Sequence, residues 1–387
     1  MIGVVIGGAA AAALVSAALT WAVRAWGRRA ALLDSPGATG HIKTTVRRVP
    51  NIGGAAVFWT IALATLAGVA AAWFGGEALP AWAAGHAEGV RSTTPGVLGV
   101  LAIAAVLHVM GLADDRRALG PGVKLVVMLA AGVLAVWALD ARLLELLDSF
   151  GPAGVIASWV LTVLWIVAVT NALNFLDNMD GVAGGVTVVS GSLFAAAACA
   201  REQWFVAAAL AVVVGAAAGF LVFNAPGPRR RATIFLGDGG SLVLGFLLAC
   251  LTVRATYYGP TPTGDETGWS PWAVLMPLCV LAVPLYDLVV VSAIRISQGR
   301  SPLVGDQQHV THRLRRLGLS DARVFWVVCG MCLVTGISGL LLSVLDGRRA
   351  WLAGGQVLAV LGLLALFERG VARGRSRAVK EGGSDAT

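Results

Sequence analysis

Charge is what this chain has least of. Asp, Glu, Lys and Arg supply 13% of its 387 residues, hydrophobic side chains supply 57%, and the mean hydropathy is +0.80. Soluble domains carry roughly twice that charge, so the composition excludes an ordinary water-soluble protein. The five cysteines all lie in apolar runs, with Cys329 and Cys332 at CxxC spacing inside one of them and no paired extracellular spacing. Their place inside apolar runs argues against a disulfide framework and leaves them as packing residues. The first apolar run lacks a basic leading segment and a clear small-residue cleavage site, so a retained helix is expected rather than a signal peptide.

Long apolar runs are what the chain has most of. A helix needs roughly 20 mostly apolar residues to cross the hydrocarbon core, and eleven candidates lie near 3–23, 52–74, 96–113, 122–139, 153–172, 182–200, 205–224, 241–258, 271–294, 324–345 and 351–367. The expected fold is therefore all-α, a polytopic integral membrane protein of about 10–11 transmembrane helices. One integral domain, 1–368, precedes a polar tail, 369–387, expected to be disordered. With the amino terminus outside and helices alternating, inner segments hold 23 of the 29 Lys and Arg. That asymmetry places the carboxyl terminus and the polar loops 24–51 and 295–323 in the cytoplasm. It also accounts for the net charge of +8 through orientation and anionic lipid, with no nucleic-acid partner. Trp73, Trp82, Trp204, Trp269, Trp272 and Trp351 fall near the expected outer helix ends, as interfacial anchors.

The few acids are not scattered. Asp114 and Asp115 close the third run and Lys124 opens the fourth; the fifth runs into NALNFLDNMDGVAGG, with Asn171, Asn174, Asp177 and Asp180. Asn224 and Asp238 flank the basic loop APGPRRRATIFLG, Asp287 lies within the ninth run, and His309 and His312 follow in the loop beyond it. All reach one side of the membrane. Carboxylates beside hydrocarbon cost roughly 2.5 kcal/mol or more at a helix centre, so their gathering needs compensation. Mg²⁺ provides it, because this hard cation takes one or two carboxylates together with substrate phosphates. Beside Lys124 and Arg229 to Arg231, the acids read as a site for a metal-bound diphosphate.

Residues three apart on a helix differ by about 60° in direction, so Asn171, Asn174, Asp177 and Asp180 cannot all face one ligand from a straight helix. Either the helix loosens near Gly181, Gly184 and Gly185, or the four serve different tasks; we favour the second. Each feature also has a plainer account. Asp114 and Asp115 beside Arg116 and Arg117 form a solvated helix boundary, Asn171 and Asn174 bond helix to helix, Asp238 is an N-cap, Lys124 and Arg229 to Arg231 mark topology, and loop histidines face water. His108 reads as a packing or hydrogen-bonding residue. It is their conjunction that points to chemistry.

In their order, DSP…H…RRVPNIGG, GLADDRRAL with Lys124, NALNFLDNMDGVAGG, FN…IFLGDGGS and PLYD…R…GRSP…DQQHVTH, these motifs over roughly 34–316 resemble the polyprenyl-phosphate N-acetylhexosamine-1-phosphate transferases. The resemblance implies Mg²⁺-dependent transfer of a sugar 1-phosphate from a UDP-sugar to an undecaprenyl-type phosphate at the cytoplasmic face of the plasma membrane, with release of UMP. Mn²⁺ is a substitute cation and a homodimer is compatible with it. It implies catalytic roles for Asp114, Asp115 and Asp238, the first as a base toward the lipid phosphate, and metal binding by Asp238, Asn174 and Asp115. Lys124 matches a phosphate-binding lysine, Phe235 a nucleobase-stacking position, and Asp177 and Asp180 the acids of the uridine motif. Asn171, Asn224, His309 and His312 complete the substrate-binding set. The match departs at Thr311, where the family usually has adjacent histidines, and in the spacing around His41. GRSP…DQQH resembles the GlcNAc branch, so UDP-GlcNAc is the expected donor and UDP-MurNAc-pentapeptide the alternative. From other classes, a transporter would show broken helices meeting at the midplane, and a membrane prenyltransferase would not need these motifs together.

Overall fold

The computed structural model describes residues 1–33, 49–227, 231–257, 275–302, 306–342 and 347–382. Among them the chain is helical, without strands: α1 (Ile2–Arg29), α2 (Gly53–Phe74), α3 (Ala81–Arg116), α4 (Pro121–Leu139), α5 (Pro152–Leu176), α6 (Val182–Ala200), α7 (Trp204–Asn224), α8 (Asp238–Tyr257), α9 (Met276–Val280), α10 (Ala282–Ser297), α11 (Val310–Arg316), α12 (Asp321–Leu342) and α13 (Gly347–Gly382). Ten of these described helices, all but α9, α10 and α11, are long and apolar enough to cross a membrane. Large apolar side chains such as Leu14, Val126, Trp137, Ile156 and Leu352 stand exposed on their outer faces. Such a surface would aggregate in water and is the expected one in lipid. This is a multi-pass membrane protein.

The centre of the bundle is α8. It packs against α2, α3, α5, α6 and α7, and Leu242, Val243, Leu244, Phe246 and Leu248 are wholly buried. Because protein rather than lipid surrounds it, α8 tolerates Ser241 and Thr252 inside: Ser241 Oγ donates to the Gly237 carbonyl and Thr252 Oγ1 to that of Ala249. Close approach at its amino-terminal end depends on missing side chains. A Cβ on Gly54 of α2 would lie 2.3 Å from the Gly240 nitrogen, and one on Gly111 of α3 would lie 2.4 Å from the Asp238 carbonyl carbon. Neither helix could otherwise reach the start of α8.

Ahead of α8, residues 231–237 lie along the entrance to α2. Phe235 N–H donates to the Pro50 carbonyl, and Gly53 and Gly54 N–H donate to the Phe235 and Leu236 carbonyls, each at 2.8 Å.

The ninth apolar run is not one helix. It divides into α9 and α10 at Leu281 (φ −101°, ψ 17°). Pro284 has no N–H for the Val280 carbonyl four residues back; Ser190 of α6 donates to it instead at 3.3 Å. The third run is longer than expected, since α3 begins at Ala81 and continues through Pro95. At about 1.5 Å per residue its 36 residues outreach the hydrocarbon core. α13 is described as helix to Gly382, into the segment expected as a tail. Asp34 to Pro36, His41, Arg229, Arg230, Trp269 and Trp272 lie outside the described residues.

Candidate active site

The expected acids converge on the first turn of α8. Asp238 opens that helix, where the unpaired N–H groups and the dipole favour negative charge. Lys124, in the first turn of α4, donates to Asp238 Oδ2 and, at 3.0 Å, to Asp114 Oδ2 at the end of α3. Asp114 Oδ1 accepts the Leu119 N–H at 2.8 Å, so both its oxygens are engaged. Asn174, in the last turn of α5, donates through Nδ2 to Asp238 Oδ1 and to Ser241 Oγ, each at 2.9 Å. Four helix ends thus meet through one carboxylate.

Asp115 lies on the other side of the same turn. Its Oδ1 accepts from Asn51 Nδ2 at 3.0 Å and its Oδ2 faces the Gly239 N–H at 3.5 Å. Gly237 makes this possible: its φ is +71°, and a Cβ there would lie 2.4 Å from Asp115 Oδ2. His108, two turns earlier on α3, is buried, stacks on Phe58 at 4.6 Å, and donates through Nδ1 to the Gly239 carbonyl at 2.7 Å. It is the hydrogen-bonding residue expected, and what it holds is the start of α8.

The polar series at the end of α5 resolves both ways. The helix ends at Leu176, Asp177 caps it, and Gly181 turns the chain at φ +79° into α6. Its members also have separate tasks. Asn174 reaches Asp238; Asp180 Oδ2 accepts the Ala232 N–H at 2.9 Å; Asn171, a turn deeper, is half-buried with no hydrogen bond to the described residues. Burial, with Asp238 and Asp115 close by, raises the Asp177 carboxyl well above its ordinary value. Three crowded carboxylates and the amide of Asn174 are the hard oxygen donors that suit Mg²⁺, which needs only one or two carboxylates from the protein. Among the described residues no three His, Cys, Asp or Glu side chains are grouped as a metal cage.

Other expected residues are placed differently. Asn224 is buried and used at both ends, accepting the Gly181 N–H at 2.8 Å and donating to the Ile234 carbonyl at 2.9 Å, so it joins the turn after α5 to the segment before α8. Phe235 is half-buried on that segment. His309 is buried away from the cluster: Nδ1 meets Asp287 Oδ2 at 2.8 Å, Nε2 faces the Arg295 guanidinium at 3.4 Å, and its ring meets Phe175 edge-on. His312, on α11, is half-buried. Thr311, the departure from the usual histidine pair, donates to Asn178 Oδ1 and so ties α11 to the turn after α5.

Sequence reasoning missed Asn51, Ser241, Asn178, Arg295, Asp306 and Glu368. Asn51, Asn178, Ser241, Arg295 and Asp306 had a signal, since each lies inside one of the motifs quoted above; Glu368 had none apart from its partners in space.

The fold and site together define a class: a helical membrane protein whose charged groups meet at one end of the bundle, around the start of α8. The sequence matches the family described as glycosyl transferase family 4 over residues 97–256. It is 34% identical over 379 residues to a Streptomyces coelicolor protein named as a glycosyltransferase, covering 94% of this chain and 77% of the relative. It is 30% identical over 346 residues to the decaprenyl-phosphate N-acetylglucosaminephosphotransferase of Mycobacterium tuberculosis, covering 84% and 80%. Identity to the undecaprenyl-phosphate alpha-N-acetylglucosaminyl 1-phosphate transferase of Escherichia coli K12 is 26% over 270 residues, covering 69% and 70%. The chain belongs to glycosyl transferase family 4.

Proposed function

We propose that the protein transfers GlcNAc 1-phosphate from UDP-GlcNAc to a polyprenyl phosphate, releasing UMP, at the cytoplasmic face of the plasma membrane. The observation that carries this reading is the joining of Lys124, Asp114, Asn174 and Asp238 at the start of α8. The names of the relatives supply the substrate class. An oxygen of the lipid phosphate attacks the phosphorus attached to the sugar, the bond from that phosphorus to UMP breaks, and UMP leaves with the electron pair.

Phosphoryl transfer depends on positioning and on meeting the charge that develops, more than on covalent help from the protein. Lys124 is a fixed positive charge on a short tether, placed to meet a phosphate oxygen. Asp238, Asn174 and Asp115 are the residues that would hold Mg²⁺, whose chemistry is to neutralise the diphosphate and the departing phosphate. Asp114 acts by position. A phosphate monoester, with a second pKa of about 6, is largely ionised near neutral pH and needs no base, and both Asp114 oxygens are occupied by Lys124 and Leu119. Phe235 and His312 remain for the nucleotide, while Asn224 and His309 hold the walls.

The test is release of UMP by purified protein supplied with polyprenyl phosphate, Mg²⁺ and a panel of UDP-sugars. Transfer from UDP-GlcNAc that stops on chelation supports the assignment. Transfer only from UDP-MurNAc-pentapeptide would replace the donor, and none from any UDP-sugar would overturn the reading.

A further inference from the structure

Buried charge without good pairing is concentrated in one place outside the acidic cluster. Among the described residues, eight buried side-chain nitrogen or oxygen atoms have no hydrogen-bond partner, and five of them belong to Arg295, Asp306, Arg313 and Glu368. These residues join α10, α11 and α13 around Asp287, which is fully buried. Three of the five, Arg313 Nε and Nη2 and Glu368 Oε1, lie in ion pairs out of line for a hydrogen bond, and a network built only to stabilise the fold would be better satisfied, because a buried polar group without a hydrogen bond is costly.

Its member on α13 is Glu368, near the inner end of the last membrane-spanning stretch. Glu368 Oε1 faces Arg313 Nε at 2.9 Å, an ion pair out of line for a hydrogen bond, and Glu368 Oε2 accepts from the Tyr286 hydroxyl at 2.9 Å. Arg313 lies on α11 beside His312 and is pinned again by Asp287 Oδ1 at 3.5 Å and by the Gln308 carbonyl. On its opposite flank α11 is held to the turn after α5 by Thr311 and Asn178. This short helix is therefore gripped between the substrate side and α13. The side chains of Arg313 and Glu368 are 12% and 10% exposed, so neither charge has water as an alternative partner.

We propose that Glu368 is a positioning residue: through Arg313 it clamps α11 and sets His312 against the nucleotide, making the last membrane helix part of the substrate site. This rests on the reading of the protein as a UDP-sugar transferase. A clamp of this kind acts on binding rather than on the bond exchanged, so its loss should appear in KM.

The experiment is steady-state kinetics of Glu368→Gln, Arg313→Gln and the double variant, in detergent, with UDP-GlcNAc varied and the lipid acceptor saturating. Each single variant should raise KM by about tenfold, the size of one lost charge-assisted contact, with kcat nearly unchanged. The double variant should be no worse than either single one, because both remove the same link. Wild-type KM in Glu368→Gln, a fall in kcat alone, or additive effects would overturn the proposal. If Glu368→Gln does not accumulate, Tyr286→Phe, which removes only the hydroxyl, carries the test: a KM raised by about threefold supports the clamp and an unaltered KM overturns it. Wild-type protein that transfers nothing would sink the functional reading instead, so the two failures are distinct.

Discussion

Two clusters of the same residue types lie at the same end of this bundle and differ in one physical respect. Around α8, Lys124, Asp114 and Asp238 keep 15–23% of their side-chain surface open. Around α10, Asp287, Arg295 and His309 keep 0–6%, and only the edge of that cluster, Glu368, Arg313 and Asp306, reaches 10–16%. The first cluster can exchange its internal partners for a ligand; the second is committed to itself. A carboxylate already bonded to a lysine loses little when a phosphate and a cation take over, provided that water or ligand can reach it. A carboxylate closed off with a histidine and an arginine gives its interaction energy to the architecture. Charge near the membrane is thus spent on chemistry in one cluster and on geometry in the other, and exposure separates the two more reliably than residue type.

The comparison breaks most sharply at Asp238. Asp238→Ala removes the group on which Lys124 and Asn174 converge, and UMP release should fall by about 10²–10³-fold, the loss seen when one preorganised electrostatic partner is removed. Thermal unfolding in detergent should shift little, since the site is partly open. Near-wild-type turnover in Asp238→Ala would mean that the open cluster is not where the chemistry occurs.

Asp287→Asn should do the reverse. It keeps the shape and an acceptor for the Val310 N–H but removes the charge facing His309 and Arg313. Breaking a buried pair costs about 3–5 kcal/mol; with the acceptor kept, the lower end is expected, read as a lowered unfolding midpoint in denaturant or heat. The folded fraction should keep its kcat, with the loss tracking stability and any kinetic change confined to KM through Arg313. Full stability with abolished transfer would place Asp287 in the site and erase the contrast.

Most of the bundle was legible because lipid imposes a simple rule, about 20 apolar residues per crossing, that survives without any knowledge of neighbours. The same rule hid the break at Leu281: 271–294 is apolar around it, with Asp287 six residues further on, and the stop depends on Pro284 and on Ser190 of another helix being there to satisfy the Val280 carbonyl. It also hid the length of α3, whose first turns are polar enough to read as a loop. The open cluster was legible for a related reason. Asp114, Asp115, Lys124, Asn174 and Asp238 sit at helix ends, so a polar side chain at either edge of an apolar run marks them. The closed cluster was not. His309 and His312 share a motif and look alike along the chain, yet one is sealed beside Asp287 and the other is half-buried on α11, a difference decided by Asp287 and Arg295 on α10.

That difference between the two histidines makes the smallest prediction and the most specific one. Burial, then His309, Arg316 and Arg315, push His312 down to about 4, while Asp287 opposes them weakly. The unfolded chain binds that proton near the ordinary value of about 6.5. Above that pH neither state is protonated and His312 adds no slope. Between about 6.5 and 4 the unfolded state takes up a proton that the folded state refuses, so stability is lost as pH falls. His312→Gln removes this term. Its unfolding midpoint should decline less than the wild type's between pH 7 and pH 5, and parallel declines would show that His312 does not titrate as placed. A bound diphosphate adds negative charge beside His312 and should raise the histidine again. Calorimetry of UDP-GlcNAc binding near pH 5.5, in buffers of different ionisation enthalpy, should then show proton uptake in the wild type that His312→Gln lacks. Equal uptake in both proteins would remove His312 from the nucleotide and return the open side of α11 to ordinary solvent.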